Sequence, residues 1–400
     1  MSLNPHTAAS LRPLRVMIVD DSAVVRGLVT RWVEHEADMV LAGSATDGAK
    51  GIEKVRELQP DVLILDIEMP NMGGLEALPK LIAAKPNLKV LMASTLSTRG
   101  ATVTIRALEL GAADYIPKPD STRIGGAEGF RVELLTKIRA LCGRTRMWPV
   151  PPTSSPQPLP HTPASAAAGL RSPAPHTPAP HAPTPLASFA PKPVIPPVRV
   201  RHTGPRRVEA LVVGASTGGP PALRSFLMGL GPDWRLPVFI VQHMPAAFTT
   251  ILAEHLDKAL DLKVVEATDG LTVQPRHVYI APGDFHMTLK GSSLAPVIKL
   301  DQGPQINWCR PAVDPLFASA SEVYGKNLIG VVLTGMGHDG RDGAKILSEA
   351  GATVMAQDEA TSVVWGMPGA VAEAGLAEFI KPVVGLSAAC KAFARGEKVQ

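Results

Sequence analysis

Cysteine is scarce in this 400-residue chain: three residues, Cys142, Cys309 and Cys390, none in C-x-x-C spacing. An odd and scattered set excludes both a disulfide framework and a thiolate metal site, and fits a reducing compartment. Tyrosine is as rare, with three residues, and aromatics together make up 4%. With a net charge of only +4 and no dense Lys/Arg block, nothing supports nucleic-acid stacking or attachment to an anionic surface, so no nucleic-acid partner is expected. No apolar run approaches the roughly 20 residues that span a bilayer, and residues 1–14 lack the apolar core of a secretory signal. A cytoplasmic location without direct membrane insertion is the expectation.

An apolar fraction of 45% over 400 residues suits two hydrophobic cores rather than one. They are separated by a change of composition. From Pro149 to Pro197 the chain holds 17 of its 39 prolines, no Asp or Glu, and Phe189 as its single aromatic. Such a stretch buries too little apolar surface to order itself, so it reads as a disordered linker. Fully extended as polyproline II, it would reach roughly 150 Å. Its HTPA, HTPAP and HAPTP repeats would also suit a docking motif.

Before the linker, the short apolar runs VMIV, MVLAG, DVLIL, KVLMAS and ADYIP alternate with helical patterns, the first carried by Val24, Val25, Leu28, Val29, Trp32 and Val33. After it come EALVVGAS, PVFIVQHM, HVYIAPGD, LIGVVLTGMG and ATVMAQD. Repeated strand–helix–strand units imply an α/β fold: two doubly wound parallel-sheet domains, the first flavodoxin-like and the second Rossmann-like, with polar chemistry at the carboxyl ends of the strands.

In the first half, Asp20 and Asp21 follow the first strand and Asp66 the third, so a parallel sheet brings three carboxylates to one edge. Three like charges repel there unless they share a hard divalent cation, and an all-oxygen set suits Mg²⁺. Ser94 and Lys118 end the fourth and fifth strands and add a hydroxyl and an ammonium. Taken singly, each Asp is an ordinary turn or cap residue; together the five groups form a site that can accept a phosphoryl group. VDDS, LDIEMP, the Ser94-Thr95 pair and PKP occur in the order and at the intervals of a response-regulator receiver domain, which residues 15–142 resemble. That resemblance implies Asp66 as phosphate acceptor, Asp20 and Asp21 with Asp66 as metal ligands, and Ser94, Tyr115 and Lys118 as switch hydroxyl, switch aromatic and phosphate contact.

In the second half, GASTG satisfies the G-x-S-x-G elbow, in which a strand turns sharply into a helix and exposes a serine hydroxyl. Here Pro220 is expected at the first helical position. Gly214, Gly218 and Gly219 also suit a dinucleotide-binding turn, but that alternative requires an acid about 20 residues on for a ribose hydroxyl. Gln242-His243 stands there instead, and an imidazole serves a serine. LTGMGHDG supplies Asp339 and backbone amides near Met336 and Gly337. The chemistry these residues suggest is acyl transfer: Ser216 as nucleophile, His243 as base, Asp339 as the acid that orients it, with His338 as a rival base in a glycine-rich loop. The order Ser, His, Asp departs from that of the α/β-hydrolases.

GASTGGP, QHMP, YIAPGDFHM, RPAVDPLF and LTGMGHDG together resemble the catalytic domain of the chemotaxis protein-glutamate methylesterases, the CheB family. The division this implies is a receiver over 15–142, a disordered Pro-rich linker over 143–204 and a methylesterase domain over 205–395. The resemblance implies hydrolysis of glutamate γ-methyl esters on the cytoplasmic helices of chemoreceptors, with deamidation of glutamines at the same sites. It further implies a chemotaxis histidine kinase as phosphodonor, Thr217 and the Met336 amide as oxyanion support, Mg²⁺ for phosphorylation and no cofactor for ester hydrolysis. His286 and Arg310 lie in matching segments and are given no catalytic role. The family's receiver covers the esterase cleft until phosphorylated; with a tether of about 50 residues, longer than the family's usual connector, weaker inhibition is expected here. Readings of the second half as a non-hydrolytic nucleotide-binding module, or as a hydrolase of another methylated protein, stay open at this point.

Overall fold

The structure, a computed structural model, describes residues 12–118, 126–143 and 207–397. The stretch read as a linker, apart from its first residue, lies outside the described residues.

In the first half β1 (Leu14–Val19), α1 (Ala23–Glu34), β2 (Met39–Ala45), α2 (Gly48–Leu58), β3 (Val62–Asp66), α3 (Gly74–Ala84), β4 (Lys89–Ser94), α4 (Thr98–Glu109), β5 (Asp114–Pro117) and α5 (Gly126–Leu141) alternate. The strands are all parallel in the order β2-β1-β3-β4-β5, the flavodoxin-like arrangement. Side chains alternate across each strand: Met17 and Val19 enter one apolar cluster, Val16 and Ile18 the other. A strand covered on both faces has no polar face to show, which is why VMIV is unbroken. Ser22, Asp47 and Ser97 cap α1, α2 and α4 by accepting N–H bonds from Val25, Lys50 and Gly100. The face of α1 is narrower than its apolar spacing suggests: Val29 and Val33 are buried, whereas Val24 is 71% exposed, being about 140° of helical turn from Val29.

In the second half the elements are β6 (Ala210–Ala215), α6 (Gly219–Leu230), β7 (Val238–Gln242), α7 (Ala246–Ala259), β8 (Lys263–Glu266), β9 (His277–Ile280), β10 (His286–Ser292) and β11 (Ala295–Asp301). They continue as α8 (Val313–Tyr324), β12 (Leu328–Val332), α9 (Arg341–Glu349), β13 (Thr353–Gln357), α10 (Met367–Glu373), β14 (Phe379–Lys381) and α11 (Val383–Ala394). Seven parallel strands run β14-β13-β12-β6-β7-β9-β8. The order reverses between β6 and β12, so the crevice beyond their carboxyl ends is the topological switch point where α/β sheets bind ligands. The edge strands β8 and β14 and the antiparallel hairpin β10–β11 have no counterpart in the sequence reading. Both edge strands are short and only partly buried, so neither shows a continuous apolar run.

The halves touch through α4, which packs on α6 and α7: Ile105 and Leu108 share an apolar cluster with Leu252 and Leu256. Tyr115 stacks on Phe248 with ring centroids 4.7 Å apart and planes 11° from parallel, an arrangement worth about 0.5–1.5 kcal/mol beyond area burial. Among the described residues no helix is long and apolar enough to cross a membrane.

Candidate active site and receiver site

Ser216 is the first residue after β6, and the turn that follows depends on glycine. Gly218 has φ +75°, and a Cβ there would come within 2.5 Å of Val363 Cγ2. Helix α6 begins at Gly219, so Pro220 is its second residue rather than its first. The parallel register pairs Ala215 with Gln242, so Ser216 and His243 leave the sheet side by side. The His243 N–H donates to the Ala215 carbonyl at 3.1 Å, and the Ser216 N–H to Thr334 O at 3.0 Å. Three strand ends, β6, β7 and β12, therefore frame the serine.

His243 Nε2 donates to Asp339 Oδ2 at 2.8 Å. Asp339 is 2% exposed and is held from several sides: Val313 N–H donates to Oδ2 at 2.6 Å, while Asp314 N–H at 3.2 Å, Gly340 N–H at 3.0 Å and Asn307 Nδ2 at 3.3 Å donate to Oδ1. Burial pushes the Asp339 carboxyl up, but these donors, His243 first among them, bring its pKa down to about 2. Burial likewise disfavours a charged imidazole, yet Cys309 and the Asp339 carboxylate raise His243 to about 10. Its other nitrogen, Nδ1, faces Cys309 Sγ at 3.4 Å, and no hydrogen bond joins it to Ser216 Oγ. The structure thus brings His243 and Asp339 into contact and leaves Ser216 beside them, its hydroxyl without a hydrogen bond among the described residues.

Cys309, Asn307 and Asp314 belong to this centre and were not singled out from the sequence. Asp314 accepts from Asn307 Nδ2 at 3.2 Å and from the N–H groups of Gly340 and Gly343 at 3.0 and 2.7 Å, closing the start of α9. Burial and the neighbouring Asp339 charge push its carboxyl up to about 6. The signal available was the segment INWCRPAVD, in which Cys309 was weighed only for disulfide or metal chemistry. His286 is buried between Pro304 O at 2.9 Å and the Ala312 N–H at 3.2 Å, both structural bonds. Arg310 pairs with Asp284 at 3.0 Å, and His338 is exposed.

The N–H groups of Thr217 and Met336 donate to no acceptor among the described residues. The Thr217 side chain is committed elsewhere: its Oγ1 donates at 2.9 Å to Oδ2 of Asp114, the first residue of β5. Asp114 also pairs with Lys137 of α5 at 2.9 Å. Val364, with Val363 and Met336 packed against its cluster, lies among Ile116, Phe130 and Leu134. Both free amides therefore sit on segments that the first half touches.

At the carboxyl edge of the first sheet, Asp20, Asp21 and Asp66 each offer an oxygen within 4.8 Å of the others. Among the described residues, buried Asp20 Oδ2 has no hydrogen-bond partner beyond its ion pair with the Lys118 ammonium at 3.1 Å, and that ammonium also lies 2.7 Å from Asp66 Oδ1. A buried, under-satisfied oxygen in an all-oxygen set fits Mg²⁺. Burial, reinforced by the Asp20 charge, raises Asp66 against the pull of Lys118; the two carboxylates hold the Lys118 pKa above its usual value although burial opposes it. Ser94 Oγ accepts from Thr104 Oγ1 of α4 at 2.8 Å, so the hydroxyl nearest this edge is tied to the helix that meets the second half. Tyr115 is buried in that contact.

A parallel-sheet domain with three carboxylates clustered at its edge, followed by an α/β domain with a serine at its switch point, is the architecture of a response regulator with a hydrolytic effector domain. Residues 16–125 match the response regulator receiver domain and residues 211–389 the CheB methylesterase domain. A protein-glutamate methylesterase/protein-glutamine glutaminase of Maricaulis maris is 53% identical over 384 residues, covering 94% of this chain and 95% of that protein. One from Caulobacter vibrioides is 51% identical, covering 92% and 96%. The Thermotoga maritima CheB methylesterase catalytic domain is 43% identical, covering 46% of this chain and 96% of that one, with a TM-score of 0.45. The chain belongs to the protein-glutamate methylesterase/protein-glutamine glutaminase family.

Proposed function

We propose that residues 205–395 hydrolyse glutamate γ-methyl esters on the cytoplasmic helices of chemoreceptors, and deamidate glutamines there, under the control of a receiver formed by residues 15–142, with 143–204 as the tether. The observation that carries this reading is the His243–Asp339 hydrogen bond beside the Ser216 elbow, at the crevice where the order of the second sheet reverses between β6 and β12. Asp339 occupies Nε2, so Nδ1 is the nitrogen that takes the serine proton once the imidazole is neutral and turned from Cys309. Ser216 Oγ then adds to the ester carbonyl, and the N–H groups of Thr217 and Met336 receive the oxyanion, each such donor being worth ~2.7–4 kcal/mol. Collapse expels methanol, which takes the proton back from the imidazolium, and water hydrolyses the acyl-serine by the same steps. Glutamine follows this route with ammonia leaving.

In the receiver, Asp66 accepts a phosphoryl group from a chemotaxis histidine kinase. Asp20, Asp21 and Asp66 would hold Mg²⁺, which neutralises charge on the transferred oxygens. Lys118 contacts those oxygens, and Ser94 leaves Thr104 to reach them. Thr104 sits on α4, and Tyr115 on Phe248, so this local change reaches the surface that covers Thr217.

The test is release of radiolabelled methanol from methylated receptor membranes. Ser216→Ala is expected to lower the rate at least ~10³-fold; a rate within tenfold of the parent overturns the assignment.

A further inference from the structure

The turn Ile306–Cys309 closes on itself, Ile306 N–H to Cys309 O at 3.1 Å and Cys309 N–H to Ile306 O at 2.9 Å. Its two central residues, Asn307 and Trp308, have φ of +51° and +64°. Two-residue turns of this hand favour Asn-Gly, because both positions are left-handed and the second is best met without a Cβ. Asparagine tolerates that region; for a bulky residue it is a true outlier, costing of order 1–3 kcal/mol. Trp308 stands at the glycine position, and its ring gains nothing from packing in return, since the residue is 92% exposed.

Both neighbours of this tryptophan hold the catalytic pair. Asn307 Nδ2 donates to Asp339 Oδ1 at 3.3 Å and to Asp314 Oδ2 at 3.2 Å. Cys309 Sγ faces His243 Nδ1 at 3.4 Å. The turn is thus fastened on each side to the residues proposed to react, and it displays an indole into solvent one residue away from both. Backbone strain kept beside reacting groups, with no gain in burial, is the pattern expected of a residue retained for recognition. Indole is also the side chain that most often dominates protein–protein contacts, offering a large apolar face at low entropic cost.

We infer that Trp308 is a specificity-determining residue: its indole packs against the protein surface next to the glutamyl ester, so that a side chain on a folded segment is presented to Ser216 in preference to a free ester. The occupant is the substrate protein itself, because the turn that carries Trp308 is fastened to His243 and Asp339, beside which the ester carbonyl has to lie. This inference rests on the esterase reading given above.

The full-length chain, assayed with and without Mg²⁺ and acetyl phosphate, separates the two. One substrate is chemoreceptor membrane carrying radiolabelled methyl esters; the other is N-acetyl-glutamate γ-methyl ester. Trp308→Ala and Trp308→Gly are expected to lower kcat/KM on the membrane substrate about 30-fold, the size of a typical aromatic hot spot (2 kcal/mol at 1.4 kcal/mol per tenfold). The small ester should be hydrolysed at the parental rate, and Trp308→Phe should restore most of the loss. Trp308→Gly should also unfold at or above the parental midpoint, since glycine relieves the left-handed strain. Unchanged kcat/KM on the membrane substrate, an equal loss on both substrates, or a lowered unfolding midpoint for Trp308→Gly each overturns the inference. Ser216→Ala should lose both substrates; if it does not, the esterase reading fails instead, whatever the tryptophan variants do.

Discussion

Asp114→Ala is the perturbation that most directly probes how the two halves are coupled. Asp114 Oδ2 accepts from Thr217 Oγ1 at 2.9 Å in a buried setting, one residue from the nucleophile. Hydrogen bonds to charged groups contribute about 1.5–3 kcal/mol. Lys137, 2.9 Å from the same carboxylate, already draws on that charge, so the lower end, about 1.5 kcal/mol, applies to the Thr217 bond. Lys137 does not become an unpaired buried cation in the variant, because it also lies 3.4 Å from Glu133 and donates to Tyr115 O at 2.6 Å. Of the contacts Asp114 makes, only the one to Thr217 crosses to the second half and is lost when the receiver lifts away, so its removal shifts the closed–open balance by the whole 1.5 kcal/mol, roughly tenfold. In methanol release from methylated receptors, the unphosphorylated variant should work about ten times faster than the parent, and the phosphorylated forms should be equal. An unchanged basal rate, in a variant whose Asp66 still takes up phosphate, would refute the idea that this bond restrains Thr217.

The other expectations concern the acceptor and the base. Asp66→Asn should abolish labelling by a small phosphodonor with Mg²⁺; label that survives would move the acceptor elsewhere. With His243 raised to about 10, the neutral imidazole is scarce at pH 7, so hydrolysis by the unphosphorylated chain should climb through pH 7–10 rather than level off above 6.5. Cys309→Ala, which removes one cause of the shift, should move the inflection to lower pH; NMR titration of the imidazole reads this directly. The linked stability has a fixed sign: a folded-state pKa above the unfolded 6.5 means the His243 contribution is complete below pH 6.5 and is lost as pH rises towards 10.

Much of the fold was legible because each strand of a doubly wound sheet is covered on both faces. VMIV, VLIL, LVV and VFIV are continuous apolar runs, and that local signal needs no knowledge of partners. The candidate site was legible for a related reason. Parallel strands all end at one edge, so residues placed directly after apolar runs, Asp20, Asp66, Ser216 and His243 among them, are brought to that edge by topology alone. The short edge strands β8 and β14 and the hairpin β10–β11 were not legible, since partly buried segments alternate too weakly to stand out.

The amino-acid sequence by itself determined which chemical groups arrive at each sheet edge, and through its combined motifs the family to which the chain belongs. Only the tertiary structure decided what each group touches there. Asp339 takes the His243 nitrogen Nε2 and Cys309 faces Nδ1; Thr217 is bonded to Asp114 across 103 residues of sequence separation. These contacts join segments far apart along the chain, and their geometry depends on how the loops pack, which no periodicity or local spacing encodes.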